Sequence, residues 1–199
     1  MTATAMTGDD VRAALGELTD VLAPLTRSDA ARWDAPAGPL EWSCRETAAH
    51  IAHDLLAYAG QLAARPADRY LPFDLTVPPD AGPAEVLTVV TACARLLATA
   101  LDAAPPGLRA WHHGPCDPAG FAAMGVTETL LHTHDITLGL GVDWRPSERL
   151  CRAALARLFP DAPEAAAGRA ADVLLWCTGR GELDGRPRRT SWSWRAAVA

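Results

Sequence analysis

The chain has 199 residues, 49% of them hydrophobic, a formal net charge of −6 and no lysine. That length is enough to bury one continuous core, and the acidic balance argues against nucleic acid as a partner. The acids lie mainly before Gly141, whereas the segment after it carries more Arg than Asp plus Glu and reads as solvated surface that can meet a small anionic ligand.

Cys44, Cys93, Cys116, Cys151 and Cys177 are odd in number, widely spaced and free of any C-x-x-C pair, so neither a disulfide framework nor a zinc knuckle is expected. Residues 1–10 lack the basic start and apolar run of a signal peptide, and no later apolar run reads as long enough to span a bilayer. A cytoplasmic protein with reduced thiols is the expectation.

The first helix begins after Thr7, which can cap it with Asp10 three residues on, and Val11, Leu15, Leu18, Leu22 and Leu25 keep a helical period to about Arg27. A loop with Trp33, Pro36, Gly38 and Pro39 follows. Ser43 and Glu46 form a capping-box pattern that starts a second helix, striped by Ile51, Leu55, Tyr58 and Leu62 and stopped by Arg65-Pro66. The Pro- and Asp-rich segment to Gly82 predicts a long surface connection. Pro83 opens a third helix running to the Pro105-Pro106-Gly107 break. Trp111, His112, His113 and Cys116 are placed in a loop, and Asp117-Pro118 caps and opens a fourth helix ended by Gly139 and Gly141. Four amphipathic helices without convincing strands predict an all-α four-helix bundle, in which ligand and metal sites are built from facing helices. Pro146 opens a fifth helix through Leu158, and 163 to about 178 reads as a sixth. In the tail, Trp192 and Trp194 alternate with polar residues, as in an edge strand or an extended arm over a groove. The expected organisation is a bundle over residues 1–141 with a helical extension and tail, 142–199, packed on it.

The chemistry gathers in Glu128-Thr-Leu-Leu-His132-Thr-His134-Asp135. On a helix Glu128 and His132 are one turn apart, and Asp135 falls on the same side, which is the side of Phe121, Met124 and Leu131. Carboxylates and imidazoles facing a core need a partner. The best one is His50 on the second helix, with His53 and Asp54 close by, Asp54 being a further possible ligand. His50, Glu128 and His132 make a His₂Glu set that suits Zn²⁺ and leaves one coordination position open. Hydrogen-bonded core histidines would produce the same spacing, and both readings stand at this point. His53 and His134 point further outward and are candidates for acid-base groups at the site mouth; His112 and His113 read as plain loop residues. Trp192, Trp194 and Arg195 are candidates for a pocket wall against an anionic or sugar-bearing cofactor, with packing as the alternative. Cys44 lies in a helix first turn, where the dipole lowers a thiol pKa, although a structural role is the plainer one.

The runs Trp42-Ser-Cys-Arg-Glu-Thr-Ala-Ala-His50 and Glu128-Thr-Leu-Leu-His132-Thr-His134-Asp135-Ile136, followed by Gly139-Leu-Gly141, resemble the two signatures of the mycothiol-dependent maleylpyruvate isomerase family, within the wider DinB-like metal-enzyme superfamily. The resemblance covers most of the chain to Gly141 and implies a DinB-like bundle. It implies a divalent metal, usually zinc, on His50, Glu128 and His132, with Asp135 orienting a ligand. It also implies mycothiol or another low-molecular-weight thiol as cosubstrate. The isomerase resembles a two-domain protein with an α/β C-terminal domain, whereas only two helices and a short tail follow the bundle here. The functional expectation is thiol transfer, addition or isomerisation on a small electrophile. A metal-dependent hydrolase or lyase using water, and a non-catalytic ligand-binding bundle, are the alternatives. A small-molecule substrate is expected, no membrane partner, and either a monomer or a homodimer.

Overall fold

The computed structural model describes residues 5–27 and 30–198, so the first four residues of the stretch examined for a leader lie outside it. Helix α1 spans Gly8–Leu22 and runs into a 3-10 turn at Ala23–Thr26; α2 is Cys44–Ala64, α3 Pro83–Asp102 and α4 Pro118–Gly139. Their starts are chemical. Ser43 accepts from the Glu46 N–H while the Glu46 carboxylate accepts from the Ser43 N–H, and Asp117 accepts from the Gly120 N–H. The expected starts of all four long helices therefore hold. These helices pack side to side in the order α1, α3, α2, α4, with α4 closing back on α1.

One expectation of pattern fails. Helix α4 is not amphipathic but buried almost all round, because α5 (Glu148–Leu158) covers the side that the other helices leave open. Its threonines make this tolerable. Thr127, Thr129 and Thr133 donate to the carbonyls of Ala123, Gly125 and Thr129, and Thr137 donates to that of His134. Each hydroxyl is thus satisfied within its own helix. At the end of α4, Gly139 lets the loop before α2 lie on the helix, since a Cβ there would run into the Pro36 carbonyl and the Cys44 thiol.

Helix α6 is Ala170–Cys177 and packs on α5. It starts later than the expected 163, because Arg152 takes the carbonyls of Ala165 and Ala166 and holds that stretch as a turn. The loop expected around Trp111 contains a small hairpin, β1 (Ala110–Trp111) with β2 (Pro115–Cys116). The tail runs extended along α5 and ends in a bridge from Ala197 to Cys116, with both chain carbonyls of Arg195 and Ala196 held by Arg157. A single hydrophobic cluster runs through the helices, the hairpin and the tail. Helix α3 corrects a further expectation: it is long and apolar enough, by length and composition, to cross a membrane. Here that apolar surface packs on α1 and α2.

Candidate metal centre

Helix α2 contributes His50, and α4 contributes Glu128 and His132. One ligand atom from each lies within 4.8 Å of the other two. His50 and His132 meet edge to face at 5.1 Å between ring centres, and Trp42 leans on His50 at 4.7 Å. His132 Nε2 is 3.1 Å from Glu128 Oε2, and its Nδ1 is 3.0 Å from Asp135 Oδ2. The sequence thus places both nitrogens of one ring by spacing alone, one through i−4 and the other through i+3.

Asp135 is wholly buried and would be costly without compensation. Its partner is Arg180, just beyond α6, which donates from Nε at 2.9 Å to Oδ1 and from Nη2 at 2.7 Å to Oδ2. This bidentate pair is the strong form of such a contact. Burial works against the Asp135 charge, yet the bonds from His132 and Arg180 hold its pKa below the ordinary value. Burial likewise opposes charge on His132, and the bonds to Asp135 and Glu128 overcome it, raising the pKa to about 9. Glu128 is shifted down despite its burial because it faces His132 and His50. His50 is shifted down by burial and by the neighbouring His132.

Asp54 lies 3.2 Å from His50 Nε2, and burial together with Glu128 raises its pKa to about 8. It opens onto a cleft of about 250 Å³ between α2 and the connection to α3, walled by His53, Tyr58, Tyr70, Phe73 and His112. Gln61 shapes this cleft from below. Its amide donates to the Arg69 and Trp111 carbonyls and accepts from the Leu71 N–H, pinning the connection and the hairpin to α2. His112 lies in a loop as expected, between β1 and β2, and from there packs on Tyr58 and Phe121, where burial lowers its pKa to about 4.

The other candidates divide. His53 is 6.5 Å from His50, ring to ring, and its Nδ1 sits 2.9 Å from Asp74, at the cleft edge. His134 is not brought to the cluster. It faces the opposite way on α4, half-buried with its ring against the backbone of Trp144, and makes no described contact with His50, His53 or Glu128. Trp194 and Arg195 lie away from the cluster, and Arg195 lines with Trp192 a separate cavity of about 510 Å³ at the end of α5. The extended tail lays Trp194 and Arg195 along the end of α5, where the Arg195 N–H donates to Leu158 and its guanidinium pairs with Asp161 at 2.5 Å. Trp192 packs on Trp194 and Phe159 and also borders a groove beside Arg180. Cys44 is buried with its pKa pushed up to about 11, so burial outweighs its helix-start position. Arg180 escaped the sequence reading. Its one sequence signal is the demand of a buried Asp135 for a cation.

The donor chemistry fits a divalent ion: two imidazoles and a carboxylate converge, with a second carboxylate, Asp54, against one of those imidazoles. Fold and site together define an all-α helical protein with a candidate divalent-metal centre between facing helices. A family model described as the mycothiol maleylpyruvate isomerase N-terminal domain matches residues 11–137, and the chain belongs to that family. The match takes in all three candidate ligands and Asp135, and it stops before Arg180. No curated protein and no solved structure matches the chain.

Proposed function

We propose that the chain is a metal-dependent enzyme that uses mycothiol or a similar low-molecular-weight thiol for transfer, addition or isomerisation on a small electrophilic substrate. The observation that carries this reading is the convergence of His50, Glu128 and His132, from two helices, within 4.8 Å. These residues would hold the cation, for which Zn²⁺ is the best match, and three protein ligands leave a tetrahedral ion one short. Such an ion lowers the pKa of a thiol brought to it and polarises an electrophilic carbon alongside.

The protein's own groups do the rest. Asp135 accepts from His132 Nδ1, which fixes the tautomer that presents Nε2 to the centre. Arg180 keeps Asp135 ionised and in place. Asp54, against His50 and open to the cleft, is placed to hold or pass on a proton. His53 lines the same cleft at its edge and is the second candidate for moving a proton there. Tyr58, Tyr70 and Phe73 give the cleft an aromatic wall that suits a small substrate with an apolar body.

Protein purified without a tag or chelator is expected to carry near-stoichiometric metal by elemental analysis, and His132→Ala to lose it. Unchanged metal content in that variant would remove the ligand assignment. Turnover of a model electrophile is expected only when a thiol is added. Thiol-independent turnover would point instead to activated water and a hydrolase or lyase. A protein that neither carries metal nor shows a thermal shift with Zn²⁺ would be a binding bundle.

A further inference from the structure

Beside Arg180, on the side away from Asp135, lies a groove of about 530 Å³. Its lining includes Leu40, from the loop before α2, with Thr178, Arg180, Arg188, Arg189 and Trp192. Among the described residues no carboxylate lines it. Arg180 is already neutralised by Asp135, so the groove carries the uncompensated charges of Arg188 and Arg189.

In the same C-terminal segment Arg145, Arg149, Arg152, Arg157, Arg169 and Arg195 each face a carboxylate. Among the described residues Arg186, Arg188 and Arg189 face none, and of these three Arg188 and Arg189 line the groove. Arg188 Nε donates to the Gly179 carbonyl, and the Arg189 guanidinium lies over the Trp176 ring at 5.1 Å. Gly179 makes this seating possible: its φ is +69°, and a Cβ would strike the Arg189 carbonyl. Two exposed guanidinium groups lining one groove with an apolar side chain and an indole suit an oxyanion carrying a small apolar body.

We propose that this groove binds a small carboxylate- or phosphate-bearing molecule, its anionic end on Arg188 and Arg189 and its body between Leu40 and Trp192. The site does not depend on the metal reading. It is joined to the candidate centre through Arg180, Asp135 and His132, and through the loop that carries Leu40 and Trp42.

Calorimetric titration of the full chain with succinate and, separately, with inorganic phosphate tests the site, with and without added Zn²⁺. Binding is expected in both metal states and to weaken as salt is raised. The probe bound more tightly identifies the anion as carboxylate or phosphate. The double variant R188Q/R189Q is expected to bind at least about tenfold more weakly, and R188K/R189K, which keeps the charge and loses the planar fork, to fall between it and the parent. On the unaltered chain, the Trp192 indole and the amides of 178–180 should shift in NMR spectra as the probe is added. Absence of binding by both probes, affinity unchanged in R188Q/R189Q, or shifts confined to His50 and His53 would overturn the proposal. So would binding seen only with Zn²⁺, which would belong to the metal centre and leave that separate reading intact.

Discussion

Arg180 is the residue on which the candidate centre depends without contributing to it directly. Replacing it by Gln leaves Asp135 buried beside a neutral group, and breaking a buried pair in this way costs about 3–5 kcal/mol. Denaturant unfolding of Arg180→Gln should show a loss of that order. Zn²⁺ affinity should fall about 10- to 100-fold, as for other losses behind a ligating histidine. Equal stability and affinity in the variant would show that Asp135 is held by other means. Legibility at this scale followed distance along the chain. Glu128, His132 and Asp135 are linked by helical spacing, so their mutual contacts could be read from the order of residues. His50 followed from the same reasoning plus one assumption, that two helices face each other. Arg180 is one of 18 arginines, 45 positions beyond Asp135, and no periodicity singles it out. His112 was missed for a similar reason, since only the folded connection to α3 turns a loop histidine into a cleft wall.

At the scale of elements, local chemistry set the starts of the long helices. Ser43→Ala removes the cap of α2 and should cost about 1 kcal/mol by thermal or denaturant melting. Asp117, at the start of α4, couples its cap to Arg157 of α5. Burial pushes the Asp117 pKa up, but the Arg157 and Gly120 hydrogen bonds prevail and hold it below its ordinary value. A carboxylate depressed in the folded state stabilises the fold above its unfolded pKa, and that contribution is lost as pH falls through the folded one. The melting-temperature gap between Asp117→Asn and the parent should therefore be widest near neutrality and close below about pH 4. A gap that persists at low pH would assign the effect to packing. The elements that sequence misjudged were governed from a distance. The start of α6 is moved by Arg152 of α5, and the hairpin at Ala110–Trp111 and Pro115–Cys116 is completed by the chain end, at Ala197.

For the molecule as a whole, one core takes in all five cysteines, each free and buried. Burial raises the Cys116 and Cys151 pKa values to about 12, that of Cys116 against an opposing Arg157. A thiol reagent at neutral pH should leave the native protein unlabelled, and all five cysteines should react at the rate of global unfolding. Rapid labelling of one cysteine in the native state would contradict this. The all-α class was legible because hydrophobic period and caps agreed along four helices, whereas the burial of α4 on every side depended on α5. The threonines of that helix have a wider consequence. Because each bonds back along its own backbone, these four threonines ask the neighbouring helices for shape and not for matching polar groups. The residues packed against them can drift in sequence under a volume constraint, while the positions that answer Glu128, His132 and Asp135, namely His50 and Arg180, cannot.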